Sequence, residues 1–159
     1  MRDARHPLGA EEKNSYYRGP AIPILIEKHV RQYCSPEDGT RLLVMRYWPR
    51  GVRREAVDHW LRDLAPSPGL LREFKERQAD LDVQSIATGR EEHWSWFISA
   101  YRGEMSVQTP LISELRLRHE CGEVITLLCV CHDLRCCHRS LLAELILGHP
   151  PVGGRAGCL

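Results

Sequence analysis

Val124-Ile125-Thr126-Leu127-Leu128-Cys129-Val130-Cys131 runs directly into His132-Asp133-Leu134-Arg135-Cys136-Cys137-His138-Arg139-Ser140. The first block is apolar on both alternating faces, with Thr126 the one polar residue. A strand with that pattern is covered on both sides, as a central strand under helices is. The second block breaks the pattern with charge and imidazole. Ser140–Leu147 then reads as a short helix, stopped by Gly148 and Pro150. A buried strand, a polar turn and a helix point to an α/β fold: a small single domain with a short, mainly parallel sheet and helices packed on it.

Working back toward the N-terminus, Thr109-Pro110 opens a helix that runs to about His119, with Gly122 just past its end. Trp94, Phe97, Ile98, Tyr101 and Met105 recur at helical spacing, so 92–105 is a helix whose aromatics belong to a core. Residues 76–92 are polar and read as an exposed excursion. Ser67-Pro68 caps a helix carrying Leu70, Leu71 and Phe74. Val57, Trp60, Leu61 and Leu64 share one helical face, so 54–64 is expected to be helical too. Arg41–Arg46 reads as a strand broken by Pro49 and Gly51, and Ile22–Tyr33 as a first strand ending near 30–33. Residues 1–21 form a polar, flexible N-terminal arm, 22–150 the domain, and 151–159 a C-terminal tail.

The chain has 159 residues, the length of one domain, and enough to bury a core without disulfide staples. Its apolar run is far short of the ~20 residues a membrane helix needs. Met1–Pro7 has no apolar h-region, so no secretory signal is expected and a cytoplasmic location follows. A formal net charge of +1 argues against a general polyanion binder. The local distribution says more: Arg41, Arg46, Arg50, Arg53 and Arg54 fall in one stretch without an acid. Planar guanidiniums grip phosphate or carboxylate bidentately. The cysteines number seven, an odd count that favours reduced thiols over a disulfide scaffold.

Several strings follow in a recognisable order. They are Asp38-Gly39, Arg46-Tyr47-Trp48-Pro49-Arg50-Gly51, Trp60-Leu61, Leu64-Ala65-Pro66-Ser67-Pro68, and Phe97 with Tyr101. Ile125–Leu128, Cys131-His132-Asp133 and Cys137-His138-Arg139-Ser140-Leu141-Leu142-Ala143-Glu144 complete the series. Together they resemble the bacterial and archaeal domain-of-unknown-function family 488 over residues 22–147. The resemblance implies a compact α/β fold and no settled activity. The arm before residue 22 lies outside the family pattern, and 76–92 looks like an insertion.

Two loops after strands carry the chemistry. In open α/β sheets ligands sit at the carboxyl ends of strands, and a helix N-terminus there offers free N–H groups to an anion. The leading expectation is a pocket for an anionic small molecule, a phosphate or nucleotide-like one, formed by 46–51 and 131–139. Arg46, Arg50 and Arg139 would hold the anion and Trp48 would stack on it. Cys137 or Cys131 would supply a thiolate, with His132 or His138 as acid/base and Asp133 beside them. Cys137, at a helix start beside His138 and Arg139, is expected to react faster than Cys129, which the strand encloses. The competing account gives Asp133 and the histidines to a tight turn and makes the cysteines small core residues. Cys129 and Arg135 fit the spacing of a tyrosine-phosphatase loop, but without the following hydroxyl, and the match reads as accidental.

Two other functions compete. Arginines interleaved with Tyr47 and Trp48 suit a nucleic-acid-binding module. Cys131, His132, Cys137 and His138 are candidate ligands for zinc or another transition metal, with Cys121 or His119 to complete the set. The sequence leaves the oligomeric state open and implies no membrane partner.

Overall fold

The computed structural model describes residues 24–84 and 88–148. The expected arm over 1–21 and tail over 151–159 lie outside the described residues. The strands are β1 (Leu25–His29), β2 (Thr40–Leu43), β3 (His59–Trp60) and β4 (Ile125–Cys129). They form one sheet in the order β1-β4-β2-β3, with each adjacent pair parallel. β4 therefore sits between β1 and β2 and is buried along its whole length. The helices are α1 (Pro68–Gln84), α2 (Thr88–Met105), α3 (Thr109–Glu120) and α4 (His138–Leu147). The α/β class with a short parallel sheet and helices packed on it is thus observed.

The two faces of the sheet are covered differently. Leu42, Ile125 and Leu127 point into the main core with Phe97, Tyr101, Leu115, Leu142 and Ile146 from the helices. Leu43, Leu128 and Val30 face the other way, against Met45, Trp48, Val52, Val57 and Trp60. Each fully buried Leu or Ile contributes about 1.5–3 kcal/mol by leaving water. The continuous apolar run of β4 feeds both cores at once because successive side chains alternate sides.

The segment 54–64 is not the expected helix. Arg54–Ala56 and Arg62–Leu64 are single 3-10 turns around the short strand β3. Asp58 N–H donates to the Arg41 carbonyl, and Leu61 N–H to that of Leu43, both at 2.9 Å. The four apolar residues divide between the faces: Val57 and Trp60 pack on the second core, Leu61 and Leu64 on the main one. Their spacing suits a helical stripe equally well, and the open edge of β2 decides the matter by pairing.

The segment 76–92 is largely exposed where described, as expected, but it is helical rather than irregular. Residues 76–84 form the distal half of α1, and 88–92 the start of α2. A polar helix is held by pairs one turn apart and by packing on its partner. Arg77 donates to Glu73 at 2.8 and 3.0 Å, and its guanidinium lies 4.1 Å from the Trp96 ring centroid. His93 stacks on Phe74 at 4.4 Å. Ser67 Oγ accepts the Leu70 N–H at 3.1 Å, so α1 begins on the expected cap.

At the amino edge of the sheet, Asp38 is buried and ion-paired with Lys28 and Arg41. Its backbone carbonyl accepts the Thr126 hydroxyl at 2.7 Å. This network joins β1, β2 and β4.

Candidate functional site

β2 and β4 are parallel neighbours, so the segments that follow them leave the sheet at the same edge. The polar turn after β4 folds as a 3-10 turn over Leu134–Cys136, capped by Asp133, whose carboxylate accepts the Arg135 N–H at 2.9 Å. Cys137 then caps α4, its Sγ accepting the Arg139 N–H at 3.4 Å. α4 begins at His138, two residues before the sequence expectation.

The turn closes three thiols on one point. The Sγ atoms of Cys129, Cys131 and Cys137 all lie within 4.8 Å of one another. Cys129 and Cys131 are 3.6 Å apart, in hydrogen-bond contact. Cys129 and Cys137 are buried, and Cys131 is half-buried. Cys129 ends β4, and the chain bends at Val130 to bring Cys131 back beside it.

The group stabilises one thiolate. Hydrogen bonds from Cys131 and then from Cys137 hold the Cys129 thiol well below its ordinary range, against burial and with help from nearby His138. Cys131 is pushed up, first because it donates to Cys129, and Cys137 is pushed up by its contacts with both other sulfurs. This reverses the expected order: Cys137 is as buried as Cys129, and the negative charge settles on the strand cysteine. Cys129 is the residue that sequence reasoning set aside. The i, i+2 relation between Cys129 and Cys131 was the signal that could have found it. Cys34, Cys121, Cys129, Cys131 and Cys137 are free thiols, whereas Cys136 is disulfide-bonded, against the expectation of reduced thiols throughout.

The arginines expected to hold an anion are largely committed to the fold. Arg139 is 1% exposed. Its guanidinium donates to the Lys28 carbonyl and, at 3.5 Å, to that of Cys131, while Nε lies 3.5 Å from a Glu27 carboxylate oxygen. Arg46 donates to the carbonyls of Ala65 and Pro66 at 2.8 and 3.1 Å. Arg46 thus clamps the loop before α1, and Arg139 ties strand β1 to the turn after β4. Trp48 plugs the second core: its indole N–H donates to Val52 at 3.0 Å and its ring meets Trp60 edge-on at 5.4 Å. Arg50 is exposed, and its carbonyl accepts Arg31 at 2.9 Å.

The histidines divide. His138 is buried and bonds the Val44 carbonyl, which commits its Nε2 to the fold. His132 is exposed and stacks on His29, with ring centroids 4.4 Å apart. His29 Nδ1 accepts the Arg31 N–H at 3.1 Å, so a neutral His29 carries its hydrogen on Nε2. Asp133 is paired with Arg135 in the turn and caps it rather than joining the thiols. Among the described residues, the sulfur group contains no histidine ligand.

Residues 26–149 match the family model DUF488-N3a, described as the active DUF488-N3 subclade. An uncharacterized protein of Mycobacterium tuberculosis, Rv3073c, is 31% identical over 121 residues, covering 75% of this chain and 90% of its own. The uncharacterized protein Mb3100c of Mycobacterium bovis is similar to the same extent. The uncharacterized protein YeaO of Escherichia coli is 35% identical over 68 residues, covering 42% of this chain and 55% of its own. No solved structure matches the chain. No described helix is long and apolar enough to cross a membrane.

Proposed function

The chain belongs to the DUF488 family, and we propose that it is an enzyme whose working group is the thiolate of the Cys129–Cys131–Cys137 cluster, acting on a small anionic molecule. The observation that carries this reading is the convergence of three sulfurs at the carboxyl edge of a parallel sheet, where α/β proteins gather ligands. The description of the matching subclade as active suits a catalytic site.

The three sulfurs have unequal duties. Cys129 is enclosed and holds the charge, and Cys131 is half-buried and faces the approach. The Cys129 thiolate attacks the electrophilic atom of the substrate through its sulfur. The new S–substrate bond forms from the thiolate lone pair, and the Cys131 thiol 3.6 Å away gives up its hydrogen bond to that sulfur. The leaving group departs with the bonding electron pair, and the exposed His132 is placed to protonate it. Exposed Arg50 supplies the cationic side for the anion, a role that Arg31, Arg46 and Arg139 cannot take while bonded to carbonyls.

The test is alkylation of the reduced, metal-free protein with iodoacetamide across pH, read cysteine by cysteine by mass spectrometry. One thiol of the cluster should label well below the pH at which an unfolded control chain labels, because its thiolate is already present there. Cys129→Ser should remove that low-pH labelling, and inorganic phosphate or ADP should slow it. Cluster cysteines that label no faster than in the unfolded chain sink the reading.

A further inference from the structure

We propose that the sulfurs of Cys129, Cys131 and Cys137 form a three-ligand site for a thiophilic divalent ion of the zinc class, with the fourth coordination position open on the Cys131 side. The inference rests on the same three sulfurs as the enzymatic reading and gives them a second capacity, which competes for the same lone pairs.

The spacing of the sulfurs comes first. With zinc–sulfur bonds of about 2.3 Å, the edges of a tetrahedral site are ~3.8 Å. Cys129 and Cys131 stand at 3.6 Å, and every pair lies within 4.8 Å. An ion at the centre needs only small side-chain adjustments. The same spacing is much longer than the roughly 2.05 Å of a disulfide, so the pair is not covalently bonded.

The mounting is equally apt. Cys129 is fixed by the last residue of a strand paired on both sides, and Cys137 by its place as the cap of α4. Only Cys131 lies on irregular chain, and its carbonyl is held by Arg139 at 3.5 Å. Rigid elements thus set two of the ligands and a buried guanidinium steadies the third.

Charge gives an independent reason. Three thiolates on a divalent ion carry a net negative charge. Arg139 is buried beside them, and its Nε has no hydrogen-bond partner although Glu27 lies at ion-pair distance. A buried cation is costly unless compensated, and an anionic metal–thiolate centre compensates it. The Arg139 N–H aimed at the Cys137 sulfur adds the positive end of α4.

The open position follows from the neighbours. His138, the nearest imidazole in sequence to Cys137, spends its Nε2 on Val44, and His132 is stacked on His29. With no fourth ligand gathered among the described residues, water or an exogenous group takes that place, the arrangement of catalytic rather than structural zinc sites. On binding, the Cys131 and Cys137 thiols release their protons to solvent as the three sulfurs ligate the ion, and no electron is transferred.

The full chain is reduced, stripped with chelator, and titrated with zinc and separately with cobalt(II). One equivalent of zinc by elemental mass spectrometry is expected, and cobalt should show thiolate-to-metal charge transfer with tetrahedral ligand-field bands. Cys129→Ser, Cys131→Ser and Cys137→Ser should each fall from one equivalent to none with the circular dichroism unchanged, while Cys121→Ser keeps one. Zinc should also protect Cys131 of the unaltered protein from iodoacetamide, a readout that needs no variant. Wild-type stoichiometry in Cys131→Ser, or no metal uptake by the unaltered chain, overturns the inference. No uptake with fast alkylation of the cluster leaves the enzymatic reading standing alone. One equivalent of metal with slow alkylation of the stripped protein does the reverse.

Discussion

His138 Nε2 hydrogen-bonds the carbonyl oxygen of Val44 at 2.5 Å, tying the first residue of α4 to the residue that follows β2. A carbonyl only accepts, so Nε2 carries the hydrogen. The bond links the two segments that leave the carboxyl edge of the sheet. In His138→Ala the buried Val44 carbonyl loses this partner, which costs about 1–3 kcal/mol. Urea unfolding should show the lower midpoint with an unchanged slope, and an unchanged midpoint would refute the assignment.

A second prediction concerns the amino edge. Asp38 and Arg41 are both almost fully buried, and the Lys28 ammonium joins the same carboxylate. Asp38→Ala leaves Arg41 buried without its carboxylate, at a cost of about 3–5 kcal/mol. Adding Arg41→Met should restore part of the loss, because the uncompensated charge then goes too. A double variant less stable than Asp38→Ala would show that Arg41 stabilises chiefly through its bond to the Ala56 carbonyl at 2.8 Å.

Acid should unfold the protein through the same region. Hydrogen bonds from Arg118 and then from Thr40 hold the Glu123 carboxyl at about 2, against an ordinary 4.5. For Asp38, burial pushes the carboxyl up, but Lys28, the Ser35 amide and Arg41 outweigh it and the net shift is downward. In both cases the unfolded chain binds protons more readily than the folded one. The stabilisation is fully present above the unfolded value and drains away as pH falls through the folded one. Melting temperature should therefore drop between about pH 4.5 and 2, and Glu123→Gln should flatten that slope. A slope identical in the variant and the unaltered protein would remove Glu123 from the account.

Gly39 supplies the fourth test. Its φ of 58° with ψ of −136° is a conformation that essentially only glycine adopts. A Cβ there would also collide with the backbone carbonyl and Cβ of Val124. That carbonyl accepts the Thr40 N–H at 2.9 Å, so the approach cannot relax without opening the β2–β4 junction. Gly39→Ala should cost at least about 1–3 kcal/mol from strain alone. Gly103→Ala, where nothing lies within 4 Å and the backbone is helical, serves as the control and should not destabilise. Equal melting temperatures for the two variants would contradict the argument.

Much of the fold was legible because local chemistry and tertiary role agree. Val124–Cys131 reads as a central strand since it is apolar on both sides, and it is one. Ser67-Pro68 reads as a helix start because capping is decided within a few residues. Where they part, the sequence misleads for a definite reason. Val57, Trp60, Leu61 and Leu64 satisfy a helical stripe and a two-faced edge strand alike. Only the unpaired N–H and C=O groups of β2 choose between them. The polar stretch 76–92 lacks an apolar stripe, and its helicity depends on Arg77, Glu73, His93 and Trp96 meeting across a hairpin.

The sequence by itself determined that cysteine, histidine and arginine crowd the chain between a buried strand and a helix, and that two such segments belong to one sheet edge. It could not say which side chains would be free. Guanidiniums read as anion ligands became clamps, because Arg46 lies beside the Ala65 and Pro66 carbonyls and Arg139 beside those of Lys28 and Cys131, and a carbonyl removed from water must be satisfied. Cys129, read as strand interior, became the thiolate, because the tertiary fold turns the chain back after Cys131 and sets Cys137 against it. Position in sequence fixes what a residue can donate, accept or ligate. Which of these it does depends on the groups that folding places within about 4 Å, and those come from segments far apart in the chain.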